Sequence, residues 1–245
     1  MPTEGGAAVP VPESELVLRP AEPDDADALA LIHVLARRAA PMPDPVHPDD
    51  DVRRWLRERV VEDAPGAETW VAEVEGSPVG YARTTAGWLD DLYVQPAHQD
   101  AGVGGALLDL VMARQPDGFC LWVFEGNRPA RDFYAHRGLV ELERTDGSGN
   151  EEGEPDVRLA WPGQDPVAFL RGLVDDVDAQ LGDLLARRAA LTRAIQPLKT
   201  SPRRDPARER AVAEHLATRA PALGVDRLER IIRVVIEESL DAATG

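Results

Sequence analysis

The sequence predicts two domains, an α+β domain followed by an all-α domain of three helices. Strand-like and helix-like patterns alternate over residues 16–160. From Pro166 onwards, apolar residues recur every seven positions, as in a long amphipathic helix, and two shorter helical patterns follow. The charge changes at the same place: of 44 acidic and 27 basic residues, 13 of each lie in 164–245, so the net charge of −17 belongs entirely to the preceding part.

Composition sets the expected domain limits. Residues 1–15 are polar, acidic and rich in proline, which predicts a disordered lead-in. We expect the first domain to cover 16–161, a linker containing glycine and proline to cover 162–166, and the second domain to cover 167–245. The length of 245 residues suits two domains of ordinary size.

Composition also disfavours several classes of function. An acidic surface is a poor match for nucleic acid. The sequence has neither a run long enough to span a bilayer nor a signal-peptide pattern, so we expect a cytoplasmic protein without a membrane partner. The single cysteine, Cys120, lies in an apolar strand pattern, which predicts a buried thiol. No His/Cys cluster has metal-ligand spacing, and no metal site is expected.

The elements of the first domain can be read in order. A strand near residue 16 precedes a helix over 23–38, and a second helix covers 51–63. A hairpin around Gly76 and a strand from Trp88 follow. Next comes a glycine loop, 99–105, that leads directly into a helix. Backbone N–H groups at such a junction can hold the pyrophosphate of a cofactor, although a simple tight turn is the alternative.

A second motif follows the loop. A strand, FCLWVF, precedes a helix that carries Asn127, Ala130, Phe133 and Tyr134 and stops at Gly138. The order Gln-x-x-Gly-x-Gly, strand, Asn-x-x-Ala-x-x-Phe-Tyr-x-x-x-Gly resembles the GNAT acetyltransferase superfamily over about residues 16–161. The resemblance implies a mixed central sheet flanked by helices and the use of acetyl-CoA.

The resemblance also implies roles for individual residues. The pyrophosphate would bind at the loop residues Gln99, Gly102, Val103, Gly104 and Gly105. Tyr134 would be the general acid for the leaving thiolate, and Asn127 would contact the pantetheine arm or an ordered water. Asp90, on the strand before the loop, is the candidate general base, with a merely solvated carboxylate as the alternative.

One position departs from the family pattern. The family commonly has a basic residue between the Gln and the first Gly, whereas this chain has Asp100. A carboxylate there opposes a polyanionic cofactor, and Arg128 or Arg131 could compensate. A degenerate GNAT domain with a regulatory role is therefore an alternative. The acyl acceptor cannot be read, because acceptor pockets lie in variable loops.

The long helix predicted over 166–200 has one polar interruption. Its second apolar row, Val174, Leu181 and Ile195, is broken by Arg188. Burying an unpaired cation costs several kcal/mol, so the site must supply an anion or stay wet. Arg188 and Lys199 lie 11 positions apart, about 16 Å along one helical face, which leaves room for a small polyanion.

Arg171 lies too far from that gap to share it within one helix. It is 17 positions before Arg188, or about 25 Å along the axis, so it could serve only the equivalent pocket of a second, antiparallel copy. Of the two later helices, the first begins near Asp205 and Pro206, and Val212 and Leu216 mark an inner stripe that also carries Arg208, with Glu209 adjacent.

The last helix, from Val225 to about Ala243, places Ser239 at the end of the row formed by Leu228, Ile232 and Val235. These three helices resemble the all-helical class of chorismate mutase over about residues 166–243. The resemblance implies a homodimer through the long helix, a dianionic substrate, and rearrangement of chorismate to prephenate without a cofactor.

The mutase resemblance assigns seven residues. Arg171 would reach into the partner's site, and Arg188, Lys199 and Arg208 would hold the carboxylates and ether oxygen. Asp205 and Glu209 would lie near the substrate hydroxyl, and Ser239 would be the polar residue of the last helix. The family usually has Gln or Glu where this chain has Ala243, and Pro197 is expected to kink the long helix.

Such a site fits the chemistry, because a unimolecular pericyclic reaction needs only positioning and fixed charge. Three alternatives remain open. The helices could form a non-catalytic dimerisation tail in which Arg188 sets helix register. The mutase could carry a regulatory GNAT module. The substrate could be 4-amino-4-deoxychorismate, whose amino group Glu209 would also accommodate.

Overall fold

The computed structural model describes residues 16–61, 66–198 and 206–244. The chain divides into two compact units, Met1–Leu170 and Arg171–Gly245. This division falls within a helix that begins at Pro166, whereas the sequence predicts a linker over 162–166. None of the helices in the described ranges combines the length and apolar character needed to cross a bilayer.

The first unit is built on one sheet. Its strands are β1 Leu16–Pro20, β2 Glu68–Val74, β3 Ser77–Thr85, β4 Trp88–Val94, β5 Phe119–Phe124, β6 Val140–Arg144 and β7 Asp156–Trp161. The seven strands are arranged in the order β1-β2-β3-β4-β5-β7-β6. All neighbours are antiparallel except β4 and β5, which are parallel, so the predicted mixed sheet is confirmed. Of these strands, β6 and β7 were not predicted.

Helices cover both faces of the sheet. They are α1 Ala26–Ala39, α2 Asp49–Val61, α3 Val103–Arg114 and α4 Arg128–His136, and a 3-10 turn at Pro23–Asp25 precedes α1. On one face, Leu29 and Ile32 of α1 and Leu56 of α2 pack in a cluster with Val71 and Tyr81. On the other, Leu107, Leu108 and Val111 of α3 join a cluster that includes Phe119 and Val157.

The sheet opens between β4 and β5. Their parallel pairing is confined to Trp88 and Cys120, where the Cys120 N–H also donates to the Gly87 carbonyl at 2.9 Å. Cys120 is buried, as predicted. Beyond this pair the two strands line opposite walls of a cavity instead of bonding to each other. The opening exposes backbone and side chains of both strands at the centre of the unit.

The second unit is all-helical, as predicted. Its helices are α5 Pro166–Ile195, α6 Pro206–Arg219 and α7 Gly224–Thr244, and a 3-10 turn at Gln196–Leu198 follows α5. The predicted helix to residue 200 is therefore too long. Pro197 has no N–H to donate to the helix, and the chain changes from α-helix to a 3-10 turn at Gln196.

The buried face of α6 differs from the predicted stripe. Glu209 and Ala213 are buried, as are Leu228 and Ser239 of α7, against which α6 packs. Arg208 is exposed and Val212 is about one-third exposed, so the stripe predicted through these two residues is wrong by one position. The row predicted on α7 is confirmed, since Ile232 and Val235 are partly buried between Leu228 and Ser239.

Helix α5 leaves its apolar rows in solvent. Val177 is 61% exposed, Leu181 50% and Leu184 60% within this single chain. Apolar side chains repeated on one helix and left uncovered in a monomer indicate a surface that a partner should bury.

Candidate active sites

The glycine loop forms a cradle at the start of α3. Gly102, at the position before the helix, has a φ of +85°, a left-handed conformation that costs a side-chain-bearing residue more than glycine. The first helical hydrogen bond runs from the Ala106 N–H to the Gly102 carbonyl at 3.0 Å. The N–H groups of Val103, Gly104 and Gly105 precede it, at the end of the helix that attracts anions.

Arg137 supplies a cation at this cradle. A Cβ atom at Gly105 would lie 2.0 Å from Arg137 Nη2, so the guanidinium occupies the space that a side chain would need. Arg137 also pairs with Asp109 of α3 and lies 5.9 Å from the centre of the Phe133 ring. The two arginines considered from sequence lie elsewhere: Arg131 bonds the Glu125 carbonyl at 3.1 Å, and Arg128 borders a different cavity.

Two cavities meet at α4. The glycine-loop cavity, about 510 Å³, is lined by the loop together with Asn127, Tyr134 and Arg137. The central cavity, about 600 Å³, lies in the opening between β4 and β5 and shares Tyr93, Asn127 and Tyr134 with it. The shared residues make these cavities neighbouring parts of one cleft.

Asn127 and Tyr134 are positioned by α4. The Asn127 side-chain oxygen accepts the Ala130 N–H at 3.3 Å and so caps the helix. Tyr134, two turns later, is buried at the boundary of the two cavities. Burial raises the pKa of Tyr134 well above its usual value, so its hydroxyl stays protonated and can donate a proton. Gln99 donates to the Val94 carbonyl at 3.2 Å.

The structure favours Asp91 over Asp90 as the base. Asp90 borders the central cavity, but its side chain is exposed and accepts the Thr85 hydroxyl at 3.3 Å. The register between β3 and β4 shifts here, with Arg83 opposite Asp91 and Thr84 opposite Leu89, which leaves Asp90 as the extra residue of a bulge. The bulge turns Asp91 inward, and sequence alternation alone could not show it.

Asp91 is a buried carboxylate whose charge is only partly compensated. It is 7% exposed, and its Oδ2 atom has no hydrogen-bond partner among the described residues. The guanidinium of Arg59 lies beside it, with Nη1 3.6 Å from Oδ2. Burial raises the pKa of Asp91 to about 6, although Arg59 and Arg83 act in the opposite direction. Such a group can accept a proton near neutral pH.

A third cavity lies beside Asp91. This α1–α2 cavity, about 620 Å³, is bordered by α1, α2, β4 and the loop between β6 and β7, and it shares Arg37, Asp91 and Tyr93 with the central cavity. His33 bonds the Tyr81 hydroxyl at 2.8 Å, and burial lowers the pKa of His33 to about 4. This imidazole is therefore neutral at physiological pH.

In the helical unit, the structure brings Arg188 and Ser239 together. Arg188 Nη1 donates to Ser239 Oγ at 2.6 Å and to the Val235 carbonyl at 3.1 Å, and the Ser239 hydroxyl donates to the same carbonyl at 2.5 Å. Arg188 is half-buried and Ser239 is buried. The α5 cation is thus held against α7 by a hydroxyl and a carbonyl, without a carboxylate in these bonds.

The remaining predicted mutase residues are distributed unevenly. Glu209 is buried on the inner face of α6, whereas Arg208 and Arg171 are exposed. Lys199 and Asp205 lie outside the described residues. The α5 helix ends at Ile195, before Pro197, and the placement of Lys199 relative to Arg188 stays a prediction.

Comparison with protein-family models identifies both parts of the chain. Residues 29–139 match the acetyltransferase (GNAT) family, and residues 170–243 match chorismate mutase type II. The chain carries a GNAT domain followed by a type II chorismate mutase domain. The expected identity and order of the two domains are therefore confirmed.

Individual relatives resemble the GNAT domain. A mycothiol acetyltransferase of Amycolatopsis mediterranei (strain U-32) is 32% identical over 157 residues, which cover 57% of this chain and 50% of that protein. This chain thus spans about half the length of that curated relative. The solved structure of a GCN5-related N-acetyltransferase from Rhodopseudomonas palustris is 25% identical, has a TM-score of 0.50, and covers 64% of this chain and 99% of its own.

Replacing Asp91 should stabilise the GNAT domain while removing the proposed base. Because burial raises the folded-state pKa of Asp91 from 3.8 to about 6, ionisation opposes folding, and the penalty grows as the pH rises between these values. We expect Asp91→Asn to be more stable than wild type at pH 8 by up to about 3 kcal/mol, an advantage that shrinks by about 1 kcal/mol at pH 5.

Urea unfolding followed by tryptophan fluorescence measures this effect, since all five Trp residues precede position 162 and report on the GNAT domain. Asp24→Asn, which removes an exposed carboxylate, is the matched control. An equal effect of pH on the stability of Asp91→Asn and wild type would contradict the environment described for Asp91.

Proposed function

We propose that the chain is a bifunctional enzyme, a chorismate mutase joined to an acetyl-CoA-dependent N-acetyltransferase. The observation that carries the first activity is the fixed Arg188–Ser239 pair within a matched mutase domain. The observation that carries the second is the cleft in which Tyr134 and Asp91 lie on the walls of one central cavity.

The mutase site needs fixed cations and little else. Chorismate carries two carboxylates, and its rearrangement breaks a C–O bond and forms a C–C bond within one molecule, so no cofactor or proton shuttle is required. Arg188, already oriented by Ser239 and the Val235 carbonyl, can stabilise developing negative charge without reorganisation. Glu209 would contact the ring substituent, which leaves 4-amino-4-deoxychorismate as an alternative substrate.

A second copy of the chain would complete this site. Arg171 and Arg188 are separated by 17 positions of α5, about 25 Å along a helix, so one α5 cannot aim both at one small molecule. Pairing of α5 with α5 of another copy would bring Arg171 of one copy to the other's Arg188. It would also bury Val177, Leu181 and Leu184, whose exposure supports the homodimer.

The GNAT domain has the groups that acetyl-CoA requires. The N–H groups of Val103, Gly104 and Gly105 and the guanidinium of Arg137 would hold the pyrophosphate, which offsets the carboxylate of Asp100 in the same cavity. When bound, acetyl-CoA supplies a thioester whose carbonyl carbon bonds to the acceptor nitrogen while the C–S bond breaks.

Asp91 and Tyr134 would handle the two protons of the transfer. Asp91 Oδ2 takes the proton that the acceptor ammonium must lose before its nitrogen can attack. The Tyr134 hydroxyl gives a proton to the thiolate as it leaves. Burial raises the pKa of Asp91 to about 6, so Asp91 can accept a proton near pH 6–7. Burial also raises the pKa of Tyr134, which keeps its hydroxyl protonated, and the second proton that the nitrogen loses as the amide forms would restore that hydroxyl after the transfer.

Arg188→Ala should abolish most of the mutase activity. Loss of a fixed cation at the breaking ether bond is expected to lower kcat/KM for chorismate by about 100-fold or more. The absorbance decrease of chorismate measures the rate. Arg187→Ala is the control, because it removes the same residue type from the neighbouring, exposed position. Equal rates for Arg188→Ala and Arg187→Ala would remove Arg188 from the site.

Leu184→Glu should separate the copies and stop the mutase reaction. A carboxylate placed on the α5 row would oppose its burial in a dimer but cost little in a monomer, where Leu184 is 60% exposed. Sedimentation velocity should show a monomer, and chorismate turnover should fall at least about tenfold because the site loses Arg171 of the partner. Ala186→Glu, on the opposite side of α5, is the control; a monomeric wild type would refute the dimer.

Charge changes at the glycine loop should alter acetyl-CoA binding in opposite directions. We expect Arg137→Gln to weaken binding about tenfold and Asp100→Asn to strengthen it severalfold, since one removes an attractive and the other a repulsive charge. Isothermal titration measures both. Arg128→Gln, which removes an arginine that does not line this cavity, should bind like wild type. An unchanged Kd for Arg137→Gln would show that Arg137 does not contact the phosphates.

A further inference from the structure

The α1–α2 cavity collects carboxylates from three separate parts of the GNAT domain. Asp51 and Glu58 come from α2, Asp91 from β4, and Glu151 and Glu152 from the loop between β6 and β7. Asp51 and Glu151, which are 100 positions apart in the sequence, thus both place a negative charge at this cavity. The arrangement is a tertiary feature of the folded domain, since no acidic run in the sequence produces it.

The positive charges around the cavity do not balance these carboxylates. Arg37 pairs with Glu152 at 2.8 Å, Arg54 pairs with Asp51, and Arg59 lies 3.6 Å from Asp91. His33 stays neutral because burial lowers its pKa to about 4. His47 Nε2 lies 2.8 Å from Glu151. Five carboxylates therefore face three guanidinium groups and the His47 imidazole, and this excess of carboxylates favours a cation.

Two further features match a cation. Asp91 Oδ2 is buried and lacks a hydrogen-bond donor among the described residues, which costs free energy unless a bound group supplies one. The rings of His33, Tyr93 and Trp55 form an aromatic wall, with centroids 4.4 Å apart for His33 and Tyr93 and 6.1 Å apart for His33 and Trp55. Aromatic faces attract ammonium and guanidinium groups, and Arg59 already lies over one face of Trp55, with Cζ 4.3 Å from the ring centroid.

The cavity leads to the reaction centre. Arg37, Asp91 and Tyr93 line both the α1–α2 cavity and the central cavity, and Tyr93 also borders the glycine-loop cavity. A molecule seated between α1 and α2 can therefore present one group to Asp91 while the rest remains outside the central cavity. Cofactor and acceptor would therefore meet within one cleft, whose three cavities share Tyr93.

We propose that the α1–α2 cavity binds the acyl acceptor, and that this acceptor is an amine carrying a second positive charge. The inference rests on the proposed acetyl transfer. The reacting ammonium gives its proton to Asp91 before the N–C bond forms and the C–S bond breaks, so its charge is not available to the other carboxylates. A second cationic group on the acceptor satisfies Glu58 and the aromatic wall.

Three probes of equal length test the charge preference: 1,4-diaminobutane, 4-amino-1-butanol and 4-aminobutanoate. They share a four-carbon chain and one amine, and their far ends are positive, neutral and negative. With saturating acetyl-CoA and full-length protein, thiol release should give kcat/KM values for the diamine about tenfold above the alcohol and about 100-fold above the carboxylate.

Glu58→Gln should reduce the advantage of the diamine over the alcohol severalfold, because it removes the carboxylate that would contact the second cationic group. Asp24→Asn removes one negative charge outside the cavity and should leave the order of the probes as in wild type. Equal rates for the three probes, or preference for 4-aminobutanoate, would overturn the proposal.

Measurements of acetyl-CoA and probe binding distinguish failure of this inference from failure of the proposed acetyl transfer. If acetyl-CoA neither binds nor is turned over, the acetyltransferase function is wrong. Titration of the three probes into wild type and Glu58→Gln then tests the cavity directly. Preferential binding of the diamine that weakens in Glu58→Gln supports the cationic site, and binding without charge preference refutes it.

Discussion

The cleft of the GNAT domain depends on how short the pairing between its two parallel strands is. β4 and β5 pair only at Trp88 and Cys120, and the separation of the remaining residues creates the central cavity. Backbone groups that leave a ladder need other partners, so an opening inside a sheet is stable only where a bound molecule or water satisfies them. The antiparallel partners β3 and β7 hold each strand on its outer side, which keeps the opening in place.

Local patterns were sufficient to predict the parts of this arrangement that lie in continuous segments. The glycine loop, the following helix, and Tyr134 two turns after its capping Asn127 all depend on short-range spacing. The sequence of β6, Val-Glu-Leu-Glu-Arg, is mostly charged and so gives no strand pattern. In the structure, Glu143 pairs with Arg158 of β7 and Glu141 pairs with Arg144 within β6, which makes those charges compatible with a strand. A strand at the edge of a sheet tolerates such composition.

Other features depend on geometry that a sequence does not specify. The bulge at Asp90 determines which of two consecutive aspartates is buried, and this is the reason we propose Asp91 as the general base in place of Asp90. Arg137 reaches the glycine loop from the end of α4 and is identified only by its position over Gly105. On α6, Val212 and Ala213 are both apolar, but Ala213 is the one that is buried where α6 packs against α7. A small side chain at this contact allows the two helices to lie close together.

The mutase domain shows why an exposed surface can be part of an active site. Arg188 is held by Ser239 and a carbonyl, which orient the guanidinium but do not neutralise it. A half-buried cation without a neutralising carboxylate is costly unless an anion binds. The apolar rows of α5 are costly for a second reason, since they stay in water until another helix covers them. Dimerisation and substrate binding would relieve both costs at once.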